Sequence, residues 1–152
     1  MGSKGKEKEL VSNRKAFHDY EILETYEAGI QLLGTEIASL KNHGGALRDA
    51  YVDMRGSAPW LINASIAPYS FGNQLNHEER RPRKLLMHKR EIVALERAVS
   101  EKGLTLIPLA IYLNSRGFAK LRLAIARGKK QYDVRAAVKE RDQKRALLRG
   151  ED

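Results

Sequence analysis

From Lys120 to Leu123 the chain alternates basic and apolar side chains, Lys-Leu-Arg-Leu. A period of two is that of a half-buried strand, here with one basic face and one apolar face. Similar patterning predicts strands over 104–113 and 118–126, joined across Asn114-Ser115-Arg116-Gly117. Residues 19–33 are β-like, and Glu27-Ala28-Gly29 in their middle reads as a turn, so a hairpin is expected there. Thr35 is placed to cap a short helix over 36–40, ended by Gly44-Gly45. A further hairpin is expected from 47–54 and 60–66 across Arg55-Gly56-Ser57. Residues 67–82 carry Pro68, Gly72, Asn73, Asn76 and Pro82 and read as a long loop. The clearest helix covers 89–102, where Ile92, Leu95 and Val99 recur at helical spacing before Gly103. Short strands, tight turns and few helices predict a mainly β fold, a small OB-like barrel.

At 152 residues, 42% of them apolar, the chain suits one domain with a modest core. The absence of cysteine excludes disulfides and thiolate metal sites and agrees with a reducing, cytoplasmic setting. No apolar run approaches the roughly 20 residues of a membrane span. Residues 1–9 are charged and read as a disordered lead without a secretory signal. The barrel is expected over 10–126.

Charge changes this picture most at the far end. Arg127 to Arg149 holds nine Lys/Arg and three Asp/Glu, a net +6 of the whole-chain +9. With few large apolar residues, 127–152 cannot offset the entropy of ordering alone, and is expected to be a disordered or helical basic tail. Such an arm suits a polyanion; a tail kept for solubility is the plainer alternative. Its lack of a continuous apolar face argues against a membrane partner.

A second basic cluster, Arg80, Arg81, Arg83, Lys84, His88, Lys89 and Arg90, surrounds the expected helix start. Guanidinium groups and a helix N-terminus both suit phosphate, although such a run is often only a solvated face. Tyr69, Phe71 and Tyr132 stand in basic surroundings where rings stack on unpaired bases; for the first two, loop packing is the alternative. Catalytic patterns are sparse. His18, His43, His77 and His88 are scattered, and no phosphate-binding Gly loop or nucleophile elbow is present. His18 and Asp19 are adjacent, hence expected on opposite faces of a strand. Asp53, Glu78 and Glu79 could serve a metal-dependent RNA nuclease, the enzyme alternative. A general OB-fold binder of single-stranded RNA is the other alternative. The favoured expectation is a non-enzymatic RNA binder with no metal or cofactor.

Several longer motifs carry a resemblance. They are Asn13-Arg14-Lys15-Ala16-Phe17-His18-Asp19-Tyr20, Tyr26-Glu27-Ala28-Gly29-Ile30 and Leu33-Gly34-Thr35-Glu36-Ile37, with Ser39-Leu40 close behind. Phe71-Gly72-Asn73, Asn76-His77 and the run from Arg83 to Ile92 follow. Gly103-Leu104-Thr105-Leu106, Pro108-Leu109 and Ala126-Arg127-Gly128-Lys129-Lys130 complete the set. From about Leu10 to Leu148 the chain resembles the small protein B (SmpB) family, SsrA-binding proteins that partner transfer-messenger RNA (tmRNA) in ribosome rescue. The resemblance implies an OB-fold body bound to the tRNA-like domain of tmRNA. It also implies a tail that senses the empty mRNA channel near the decoding centre of small-subunit RNA. Elongation factor Tu with GTP would act on the same complex.

Motif by motif, Glu27, Leu86 and Lys120 match RNA-contact residues of the family. Asn13, Arg14, Lys15, Arg83, Lys84, Lys89 and Arg122 complete the expected tmRNA-binding set. The ribosome-sensing segment is expected to use Arg127, Gly128, Lys129, Lys130, Tyr132, Asp133, Arg135, Lys139, Arg141, Lys144 and Arg145. Val134 stands where the family usually has a lysine, and Pro82 where it commonly has a threonine. Glu27 needs its own account, because a carboxylate repels phosphate. It must accept hydrogen bonds from base edges or 2′-hydroxyls, and so specifies rather than attracts.

Overall fold

A computed structural model describes residues 7–69 and 76–128. In chain order the elements are β1 (Lys8–Ser12), α1 (Arg14–Asp19), β2 (Tyr20–Ile30), α2 (Gly34–His43), β3 (Gly45–Ala46) and β4 (Tyr51–Arg55). They continue with β5 (Ala58–Ile62), β6 (Ser65–Ile66), β7 (Arg83–Leu86), α3 (Lys89–Ser100), β8 (Thr105–Leu113) and β9 (Ala119–Gly128). Seven strands form one antiparallel sheet in the order β1-β8-β9-β2-β7-β5-β4, while β3 and β6 form a two-stranded ribbon. The sheet curls until β4 packs back against β8, which makes the mainly β barrel that the strand pattern predicts.

Alternation along the strands creates two apolar layers. The inner one collects Ala28, Leu61, Leu85, Leu121 and Leu123, with Leu40 of α2 and with Leu95 and Ala98 of α3. The outer one is smaller. Ala16 of α1 covers Ile107, Leu109, Ala124 and Ala126, flanked by Tyr20 and Ile22. Lys120, Arg122, Ala124 and Ala126 lie two apart on β9 and so share a face. Helix α1 therefore sits on the same outer face as the two basic residues, further along the strand.

Several expectations are corrected. Glu27-Ala28-Gly29 is no turn, because β2 runs unbroken from Tyr20 to Ile30. Gly29 lies opposite Leu86, and a Cβ there would stand 3.4 Å from the Leu86 Cβ. The glycine serves close approach between strands. Thr35 does not cap α2; Leu33 occupies the N-cap, and its N–H donates to the Glu36 carboxylate at 2.8 Å. Gly44 does end that helix, at φ +75°. On α3 the buried residues are Leu95 and Ala98, while Val99 is exposed. Helix α1 and strand β7 are additions to the expected elements. The expected lead and tail are trimmed at the barrel: Lys8 and Glu9 pair with Leu113 and Tyr112, and Arg127 and Gly128 pair with Glu21 and Tyr20. Ladder hydrogen bonds recruit these polar residues although their side chains add little to the core.

Candidate nucleic-acid interface

Cross-strand partners share a face of a sheet, so the register locates the exposed surface. Glu27 lies opposite Arg122 and Gly29 opposite Lys120. Tyr112 lies opposite Lys120, Leu86 opposite Gly29, and Trp60 opposite Lys84. Five adjacent strands thus bring Trp60, Lys84, Leu86, Glu27, Lys120, Arg122 and Tyr112 to one outer face, beside the part covered by α1. Leu86 is 50% exposed and is therefore not a core leucine. Glu27 is exposed, while Lys84, Lys120 and Arg122 are half-buried.

The carboxylate on this face is held by its neighbours. The Tyr112 hydroxyl donates to Glu27, and the Arg122 guanidinium lies 4.6 Å above the Tyr112 ring. Arg122 also approaches Glu7 at 3.5 Å. Past Lys120, at the β8–β9 turn, Phe118 is 62% exposed. Asn114 fixes that turn: its Oδ1 accepts from the N–H groups of Arg116 and Phe118 at 3.0 and 2.9 Å. Sequence reasoning does not single out Phe118, Tyr112 or Trp60. Phe118 reads there as a strand-start residue, and the other two stand in apolar runs without alternation.

The basic cluster divides. Arg83 is 0% exposed, so it cannot touch RNA and leaves the expected set. Its Nε and Nη2 stand 2.8 and 2.7 Å from Glu36 Oε2, and its Nη1 donates to the Ala64 carbonyl at 3.0 Å. Arg81 Nη2 reaches Glu36 Oε1 at 2.6 Å. A buried charge persists only when paired, and here one carboxylate serves two arginines. Burial alone would push the Glu36 carboxyl up. Hydrogen bonds from Arg81, the Leu33 N–H and Arg83 outweigh it and hold the carboxyl below its ordinary value of 4.5. A depressed folded-state pKa contributes stability that is fully present above the unfolded value and is lost as pH falls through the folded one. Urea midpoints should therefore lose the Glu36 contribution only below about pH 4.5, which a titration of unfolding curves will check.

Lys84 and Lys89 remain available, the latter exposed at the start of α3. Asn13 is half-buried; its Nδ2 donates to the Pro108 carbonyl and its N–H to that of Leu109, both at 2.8 Å. Those bonds fix the start of α1, a structural duty. Arg14 and Lys15 are exposed on α1, beside a cleft of about 530 Å³ that Arg48 also lines. His18 and Asp19 end that helix within 3.2 Å of each other, not on opposite faces of a strand. Arg127 is exposed at the end of β9, 3.3 Å from Glu21, with Gly128 beside it. Phe71 and the tail set Lys129, Lys130, Tyr132, Asp133, Arg135, Lys139, Arg141, Lys144 and Arg145 lie outside the described residues.

The nuclease grouping finds no geometric support. His77 is buried, with Nδ1 2.9 Å from Thr35 Oγ1 and Nε2 2.8 Å from the Ile66 carbonyl. Glu79 accepts from Ser65, and Asp53 pairs with Arg55. Among the described residues no three His, Asp or Glu side chains are grouped to hold a metal ion. Among them, too, no helix is long and apolar enough to cross a membrane.

Comparison with known proteins covers nearly the whole chain. Residues 10–151 match the family described as SmpB protein. The chain is 60% identical over 144 residues to the SsrA-binding protein of Protochlamydia amoebophila (strain UWE25), covering 95% of this chain and 94% of that one. It is 59% identical over 140 residues to the SsrA-binding protein of Chlamydia muridarum (strain MoPn / Nigg), covering 92% of each. A solved structure described as "tmRNA-SmpB: a journey to the center of the bacterial ribosome" superposes with a TM-score of 0.66. That match has 51% identity and covers 78% of this chain and 83% of that one. Both the sequence match and the shared barrel place this chain in the SmpB family.

Proposed function

We propose that this protein is the tmRNA-binding adaptor of trans-translation, with two RNA surfaces of different character. The body binds the tRNA-like domain of tmRNA through the outer face of β7, β2, β9 and β8. The basic tail reads small-subunit RNA near the decoding centre when the mRNA channel is empty. Elongation factor Tu with GTP delivers the same complex, in the bacterial cytoplasm. The observation that carries the first part is the convergence of Glu27, Leu86 and Lys120, from three strands, on one face. Lys120 and Lys84 supply salt-dependent attraction to phosphate, Leu86 offers an apolar contact to a base or sugar, and Glu27 accepts hydrogen bonds. Phe118, projecting from the turn beside Lys120, extends the face with a stacking ring.

Binding measured against salt tests this division. Lys120→Ala should weaken binding to the tRNA-like domain and lower the salt slope by about 0.7–0.9 for each phosphate that Lys120 neutralises. Glu27→Ala should leave the slope unchanged and reduce discrimination against other folded RNAs. Unchanged slopes for both variants would remove Lys120 from the phosphate contacts. Competition by oligo-U as effective as the tRNA-like domain would favour a general single-strand binder instead.

A further inference from the structure

We infer that Tyr112 is a positioning residue for RNA selectivity, holding the Glu27 carboxylate so that it offers one oriented acceptor to the bound RNA. The inference rests on the proposed binding face and deepens it. Tyr112 is 2% exposed, so it has little surface to offer RNA directly. What it offers is a hydroxyl on the Glu27 Oε2 oxygen. A free glutamate side chain turns through several rotamers and presents either oxygen to any donor. With Oε2 engaged by the phenol, Oε1 is left as the acceptor for a base edge or a 2′-hydroxyl.

The support is built from three strands. Tyr112 comes from β8, Arg122 from β9 and Glu27 from β2, and Arg122 lies directly opposite Glu27. Arg122 caps the Tyr112 ring at 4.6 Å, which restricts the phenol and keeps a positive charge beside the carboxylate. The other charged groups near this cluster are Glu7, at 3.5 Å from Arg122, and Lys120 and Glu9, which lie opposite Tyr112 on either side of β8. One buried hydroxyl thus turns a flexible acidic side chain into a directional reader. Its neighbours Lys120 and Arg122 supply attraction that does not depend on direction.

Tyr112→Phe isolates the hydroxyl, because the ring and its packing stay. The probes are the isolated tRNA-like domain of tmRNA and an elongator tRNA transcript, with affinities measured across a salt series. The expected result is about a tenfold loss in the ratio of the two affinities, of the size of one hydrogen bond to a charged group. The salt slope should not change. In a Glu27→Ala background the same substitution should change the ratio no further, since nothing remains to be positioned. Wild-type selectivity in Tyr112→Phe, or a loss that simply adds to that of Glu27→Ala, would overturn the inference. If Glu27→Ala by itself leaves selectivity intact, the binding-face reading fails first, so the two failures are distinguishable. Circular dichroism and urea curves on Tyr112→Phe separate a loss of selectivity from a loss of fold.

Discussion

A chain ending at Gly128 is expected to bind the tRNA-like domain nearly as tightly as the full chain and to fail in tagging stalled ribosomes. Everything the binding face needs lies before that cut: β9 is complete at Gly128, and Glu27, Leu86 and Lys120 keep their register. The cut removes Lys129, Lys130, Tyr132 and the basic run to Arg149. If that arm reads ribosomal RNA, peptidyl transfer to alanyl-tmRNA should fall by more than about 100-fold while binding changes little. Tyr132→Ala should act in the same direction, since a stacked ring is worth about 1–3 kcal/mol and carries no charge. Reconstituted tagging run beside a binding measurement decides the matter. Tagging at the full-length rate would reduce the tail to a solubility arm. A parallel fall in binding and tagging would mean one RNA surface in place of two.

Glu36→Gln is expected to cost more stability than any substitution on the binding face. The amide keeps the size of the side chain but leaves Arg83 charged, fully buried and without the carboxylate it pairs with directly. Breaking a buried pair in this way costs about 3–5 kcal/mol, a large share of the roughly 5–15 kcal/mol that holds a small domain. Urea unfolding at neutral pH should show the midpoint fall with little change in slope. The acid limb of the stability profile should flatten in the variant, because the titrating group has gone. A midpoint within experimental error of the original would show that Arg83 finds other partners, its bonds to the Ala64 and Glu79 carbonyls being the nearest.

What the sequence revealed depended on whether one face of an element meets water. Lys120 and Arg122 alternate with two fully buried leucines, so β9 and its basic face were legible. Strand β8 is covered on both sides, by the core within and by α1 outside, and its apolar run hides any alternation. Tyr112 sits in that run, which is why its bond to Glu27 was invisible. Arg83 failed for another reason: the pattern of charge says nothing of burial, and its partner Glu36 lies 47 positions away. Gly29 misled because glycine marks turns more often than it marks close contact between strands. The resemblance supplied Glu27, Leu86 and Lys120 as a set, and the register then placed all three on one surface.

Strand β1 stops pairing with β8 at Ala110, so among the described residues no strand hydrogen-bonds to 105–109 on that side. Such a free edge is a template on which another chain can add a strand and begin to aggregate. Here the stretch is blunted at one residue. The Pro108 carbonyl already accepts from the Asn13 amide, and proline has no N–H to offer on the side its carbonyl faces. An incoming strand would meet neither donor nor free acceptor at that point, with α1 lying across the neighbouring apolar residues. The Asn13–Pro108 contact thus guards the barrel against strand addition at an open edge while it anchors the helix.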